Sequence, residues 1–246
     1  MEPIYRQTYE ISAIHVDRYG RVKPSVLLHF AQEAAGGHCR QLSLDWDTLM
    51  KKHLFWAVIR NRVQINRLPV LGETISVETW PMPTTRSAYP RSTVAYDATG
   101  AELFRSVSLW VLMDSESRSM VLPGKSGIDL LGTLRGNELT PPGSIAPIPT
   151  ENASTRRVGY TDLDRNGHMN NTRYLDWIDD LLPSQFHAAH PIREFTICYL
   201  SEAKEGQQIT LSWQLLDGPC LQVNGSREGS LDQGKQDRVF AAQIHF

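Results

Sequence analysis

The chain reads as one pattern written twice. Asp17-x-x-Gly20 leads into an apolar segment opening at Pro24, and Asp164-x-x-Gly167 leads into a second one, "NTRYLDWIDDLL". Further on, "RVQINRLPVLGETISVE" matches "TICYLSEAKEGQQITLS" in its apolar positions, with Gly72 facing Gly206 and Ile75 facing Ile209. "FRSVSLWVL" then has a counterpart in the C-terminal "VFAAQIHF". A repeat of this kind limits what the chain can become. Each copy must close a core from one helix and a run of strands, which points to a duplicated α+β unit.

Within each copy the periods agree with that reading. Leu27, Phe30, Ala31 and Ala34 recur at helical spacing after Pro24, a residue suited to a first turn, and Gly36-Gly37 gives a stop. Leu42 to His53 reads as a second short helix. "FWAVIRNRVQI" and "TISVETW" read as strands split by Pro69 and Gly72. "RSTVAYDATGAELFRSVSLWVLMD" reads as a hairpin turning at Asp97 to Gly100, with Val107, Leu109 and Val111 on one parity. In the later helix Tyr174, Trp177, Ile178 and Leu181 share a face, and Pro183 ends it. Between the copies the periodicity lapses around Pro141, Pro142, Pro147 and Pro149. The expected boundaries are an N-terminal unit over 1–123, a linker over 124–152 and a C-terminal unit over 153–246.

Several function classes are excluded by what the sequence lacks. A formal net charge of -2 gives no reason to expect nucleic acid or an anionic membrane as a partner. No apolar run approaches the roughly 20 residues of a membrane span. Cys39, Cys198 and Cys220 form neither a CxxC nor a zinc pattern, as expected of reduced thiols in a cytoplasmic protein. There is no P-loop, dinucleotide fingerprint or G-x-S-x-G, so neither a nucleotide cofactor nor a Ser-His-Asp hydrolase is implied.

The densest polar cluster is "YTDLDRNGHMNNTRYLDW". If its approach to the helix is extended, Asp164, Asn166 and His168 project to one side. A carboxylate, an amide and an imidazole would then meet ahead of a helix N-terminus, whose amides favour developing negative charge. Those are parts for hydrolysing an acyl group. The other reading is plain structure: "DRNG" is a common turn, and Asn170 or Asn171 is a good N-cap. A metal site built on Asp162, Asp164 and His168 lacks a second histidine at ligand spacing.

The stretch "DLDRNGHMNNTRYLDWI" closely resembles the signature of acyl-acyl carrier protein (ACP) thioesterases, whose plant members carry D-L-D-x-N-x-H-V-N-N-x-x-Y-x-x-W. "VSLWVLMDSESRSMVLP" and "FTICYLSEAKEG" resemble two further segments of that family, so the similarity runs along nearly the whole chain. The resemblance implies a tandem double hotdog fold, each unit a long helix wrapped by an antiparallel β-sheet. It implies hydrolysis of fatty acyl-ACP to free fatty acid and holo-ACP. It places the catalytic positions on Asp164, Asn166, His168 and Glu202, with no cofactor and no metal. Plant members have a cysteine after the glutamate, whereas here the residue is Ala203, so a thiolate nucleophile at that position is absent and an activated water must act.

The implied partner is an acidic, phosphopantetheinylated acyl carrier protein bearing a fatty acyl chain. Its docking candidates are Arg60, Arg62, Arg67, Arg86, Arg91, Arg156, Arg157 and Arg173. Because the first copy lacks counterparts of Asn166 and His168, it is assigned to the acyl chain, with Trp56, Val58 and the 107–111 strand as lining. An acyl-CoA thioesterase on the same fold, a hotdog hydratase and a non-catalytic acyl-thioester-binding module remain alternatives, and a homodimer is left open.

Overall fold

A computed structural model describes residues 3–227 and 237–246, and the chain divides into two units, Met1–Pro142 and Gly143–Phe246. In the first, β1 (Tyr5–Glu10) precedes α1 (Pro24–Gln41) and the short α2 (Trp46–Met50), whose N-cap Asp45 accepts from the Thr48 amide. Strands β2 (Leu54–Ile65), β3 (Thr74–Pro81), β4 (Tyr89–Tyr96) and β5 (Glu102–Asp114) follow, then the two-residue β6 (Met120–Val121) and the one-turn α3 (Pro123–Ser126). Their antiparallel order is β1-β3-β4-β5-β2, with β6 on β5, and α1 lies against β1 and β3.

The second unit has β7 (Asn152–Arg157), α4 (Arg173–Asp179), α5 (Ser184–Ala189), β8 (Glu194–Tyr199), β9 (Gln208–Leu216), β10 (Cys220–Arg227) and β11 (Arg238–His245). Its antiparallel order is β8-β11-β10-β9-β7. Both units are therefore α+β hotdog units, a helix against an antiparallel sheet.

The helices depart from expectation in opposite directions. α1 runs through Gly36-Gly37 to Gln41 instead of stopping. A Cβ at Gly37 would lie 2.4 Å from the Tyr5 hydroxyl, so this glycine serves a close approach and not an end. One helical glycine costs only about 1 kcal/mol, which the packing of an 18-residue helix offsets. In the second unit the helix is short: α4 has seven residues, and Pro183 separates it from α5. α4 is anchored by Tyr174, whose ring lies 4.9 Å from Phe240 and 5.6 Å from Tyr199.

The duplication holds at atomic detail. Asn66 and Arg67 amides donate to Leu103 O as Leu200 and Ser201 amides donate to Val239 O. Gly72 and Gly206 both have positive φ, +82° and +80°, and Ile75 and Ile209 are both fully buried. The registers then show a difference in content. Directly opposed residues share a sheet face. Arg91–Ser108–Asn61 form one such row in the first unit, and Leu221–Ile244–Phe195 fill the same row in the second. Arg91 is 6% exposed, donates to Thr79 Oγ1 at 3.3 Å and has no carboxylate partner among the described residues. Its ring-nitrogen neighbour, His38 Nδ1 on α1, lies 3.2 Å away. Burial pushes its pKa down, opposed by the Cys39 thiol. Arg91 therefore cannot meet a carrier protein, and that docking assignment is corrected.

The segment 127–152 lacks helix and strand until β7 but is well attached. In the first unit Arg135 donates to Glu78 Oε2 at 2.6 Å and stacks over Trp80, while Thr133 N reaches Pro81 O at 2.9 Å. In the second, Gln222 Nε2 donates to Ala146 O at 2.7 Å and Arg238 Nη2 to Ile145 O at 3.1 Å. Cys198 is buried, and its thiol donates to Gly143 O at 3.5 Å.

Candidate active site

The approach to α4 is a tight turn, not an extended run. Asp164 N donates to His168 O at 2.8 Å, Gly167 N donates to Asp164 O at 3.0 Å, and Gly167 sits at φ +75°. Asp164 Oδ1 accepts from the amides of Asn166 at 2.8 Å and His168 at 3.4 Å. The first unit builds the same turn: Asp17 Oδ1 accepts from Tyr19 N at 2.8 Å and Arg21 N at 3.0 Å, and Gly20 sits at φ +75°. Alternation on a strand therefore does not bring the cluster together, and the turn reading accounts for Asp164.

A chemical pair still emerges from the same loop. His168 and Met169 lie beside 203–204: Met169 N donates to Ala203 O at 2.8 Å, and His168 forms a bridge with Lys204. That pairing sets the His168 side chain next to Glu202, with Nε2 3.1 Å from Oε2. The His168 side chain is 14% exposed and that of Glu202 42%, so the pair has one covered member and one open to solvent. Asn166 Nδ2 reaches Asp164 Oδ2 at 3.4 Å, and its Oδ1 is buried with no hydrogen-bond partner among the described residues. In the first unit the matching positions hold Tyr19, Arg21 and Leu68, which cannot form such a pair.

The amides ahead of α4 are mostly committed. Asn170 N donates to Asp162 O, Thr172 N to Asn170 Oδ1 and Arg173 N to Asn170 O, at 2.8, 2.9 and 3.0 Å. The Asn171 amide alone in this run has no partner among the described residues. Its carbonyl accepts from Tyr199 Oη at 2.9 Å, which fixes the peptide that follows. Burial, reinforced by the charges of Asp164 and Glu202 and opposed by Arg227, pushes the Tyr174 phenol well up.

Two neighbours had no sequence signal. Tyr199 ends an ordinary strand, and Arg227, whose Nη2 donates to Glu202 O at 2.6 Å, belongs to no motif. Among the described residues, no group of three or more His, Cys, Asp or Glu side chains is arranged to hold a metal ion. Among them, too, no helix is long and apolar enough to cross a membrane.

Comparison with known proteins identifies the family and the fold. Family profiles described as the acyl-ACP thioesterase N-terminal and C-terminal domains match residues 2–122 and 146–240. A chloroplastic dodecanoyl-[acyl-carrier-protein] hydrolase of Cinnamomum camphora is 28% identical over 217 residues, covering 81% of this chain and 56% of its own length. A chloroplastic palmitoyl-acyl carrier protein thioesterase of Gossypium hirsutum is 24% identical over 217 residues, covering 81% and 52%. The chain thus spans about half the length of these curated relatives. An acyl-ACP thioesterase structure from Bacteroides thetaiotaomicron superposes with a TM-score of 0.88 at 24% identity, covering 99% of this chain and 98% of that one. The 12:0-ACP thioesterase of Umbellularia californica gives 0.82 at 23% identity, covering 100% and 97%. These two likenesses establish the fold.

Proposed function

The chain belongs to the acyl-ACP thioesterase family, and from that premise we propose that it hydrolyses fatty acyl-ACP to free fatty acid and holo-ACP. The observation that carries the proposal is the 3.1 Å contact between His168 Nε2 and Glu202 Oε2, made in the unit that also presents Asn166 Oδ1. With Ala203 after the glutamate, the nucleophile is water.

Glu202, open to solvent, takes a proton from that water, and His168 orients the carboxylate and shares the proton. Asn166 Oδ1 accepts the second water hydrogen and fixes its direction. The water oxygen adds to the thioester carbonyl, whose oxygen gains negative charge near the Asn171 amide. Collapse breaks the C–S bond, and the proton held by the pair passes to the departing thiolate of the phosphopantetheine arm. Water becomes part of the carboxylic acid, so atoms and protons balance. A positioned base contributes about 10²–10⁴-fold. Asp164 acts one step back, by holding the turn.

The first unit, without this pair, takes the acyl chain, each buried methylene adding about 0.8 kcal/mol. The three free cysteines suit the reducing cytoplasm in which we place the enzyme.

The test is thiol release from matched acyl-ACP and acyl-CoA substrates of several chain lengths, with Glu202→Gln and His168→Ala alongside. Preferential turnover of acyl-ACP, lost by at least about 10²-fold in both variants, is expected. Turnover chiefly of acyl-CoA would replace the carrier in this reading. Tight binding without turnover would remove the enzymatic reading altogether.

A further inference from the structure

Arg227 closes the β10 strand beside the proposed base. Its Nη2 donates to Glu202 O at 2.6 Å and lies 3.4 Å from Ser201 Oγ, while Nη1 pairs with Asp237. Ser201 Oγ in turn donates to Arg238 O at 3.2 Å, so the Ser201 side chain and the Glu202 carbonyl are held from two strand ends.

The first unit shows what the fold alone requires here. By register, Leu68 stands at the position of Glu202, Arg67 at that of Ser201 and Asp97 at that of Arg227. Both β4 and β10 carry a bulge just before that last position, at Ala95/Tyr96 and Gly225/Ser226. The carbonyl of Leu68 is also approached by a guanidinium, Arg67 Nη1 at 3.4 Å, and Arg67 also reaches Asp97 at 3.3 Å. The fold therefore caps this carbonyl in both units, but with the charges exchanged. Where a leucine follows, the cation is on the loop and an acid is on the strand end. Where Glu202 follows, the cation is on the strand end.

We propose that Arg227 is a positioning residue for Glu202: its guanidinium holds the Glu202 carbonyl and so fixes the backbone that aims the base at His168. The proposal rests on the reading of Glu202 and His168 given above. The charged and titratable groups around Glu202 include His168 and Asp164 from the turn, Tyr174 from α4, Lys204 from its own loop, and Arg227 and Asp237 from the sheet. Of these, Arg227 alone grips the Glu202 peptide through a guanidinium.

The experiment compares kcat, KM and Tm for the full chain and for Arg227→Gln and Arg227→Lys. Gln is shorter and loses the fork that spans the Glu202 carbonyl, Ser201 and Asp237. Its kcat is expected to fall about tenfold with KM within about twofold. Lys, which can still donate to the carbonyl and pair with Asp237, restores most of kcat. A purely structural tie predicts a lower Tm in the Gln variant with kcat unmoved, and that result overturns the proposal. Glu202→Gln separates the two levels. If it stays active, the site reading itself fails; if it is inactive while Arg227→Gln keeps the wild-type kcat, only the role of Arg227 fails.

Discussion

The turn at Asp164 can be separated from the chemistry it supports, because its twin at Asp17 performs the same task where no catalytic pair exists. In Asp164→Ala the amides of Asn166 and His168 lose their acceptor, with contacts of 2.8 and 3.4 Å. At about 1 kcal/mol for each such bond, the loss is about 2 kcal/mol, or a fall in Tm of about 4–8 °C for a chain of this size. Asp17→Ala removes the acceptor of Tyr19 and Arg21 amides at 2.8 and 3.0 Å and is expected to cost a similar amount, with kcat unchanged. Asp164→Asn is the informative variant. Both amides bind Oδ1, which asparagine retains, so Tm should hold within about 2 °C. Its new Nδ2 would face Asn166 Nδ2, which now donates to Asp164 Oδ2 at 3.4 Å. The Asn166 amide should flip to relieve the clash of donors, turning its acceptor away from the water. A fall in kcat of about 10–100-fold at unchanged KM is expected. Differential scanning fluorimetry and thiol release on the four proteins decide it. A fully active Asp164→Asn, or a stable but inactive Asp17→Ala, would refute the reasoning.

Three further variants probe the buried polar row, a close glycine contact and a surface ion pair. Arg91→Leu installs the second unit's residue in the polar row of the first and removes a buried cation without a carboxylate; stability by urea denaturation should rise by about 1 kcal/mol. If the first unit holds the acyl chain, the same variant should move the chain-length optimum upward in the thiol-release assay. Gly225→Ala would bring a Cβ within 2.0 Å of the fully buried Phe240 ring, so a loss of about 1–3 kcal/mol is expected in the same denaturation series. The Glu73 carboxyl is held below its usual range by hydrogen bonds from Arg67, against a desolvation that raises it. A depressed folded pKa means stability present above the unfolded value near 4.3 and lost as pH falls through the folded one. Glu73→Gln should therefore flatten the decline of Tm below about pH 5.

What the sequence made legible was what local pattern and repetition encode. The two glycines Gly72 and Gly206, the matched Ile75 and Ile209, and the Asp97 turn could be read because each acts through its neighbours in sequence. The helix end at Gly36-Gly37 was misread because Gly37 answers to Tyr5, more than thirty positions earlier. The shape of the Asp164 turn was available in Asp17-x-x-Gly20, yet alternation was the wrong geometry for it. Glu202 came from family resemblance, and only the bridge of His168 to Lys204 gives its place a physical cause. Arg91, Ser108 and Asn61 share a row only through strand register, and Arg227 meets Glu202 across a sheet end. No local periodicity reports either.

For anyone wishing to express the halves apart, the attachment of 127–152 dictates where to cut. Division after 123 would strip the first half of Arg135 and leave Glu78 with Arg6 as its sole cationic partner among the described residues. Division at 152 would take Ala146 and Ile145 from Gln222 and Arg238, freeing donors inside the second half. The junction that leaves each half its own covering is Pro142–Gly143.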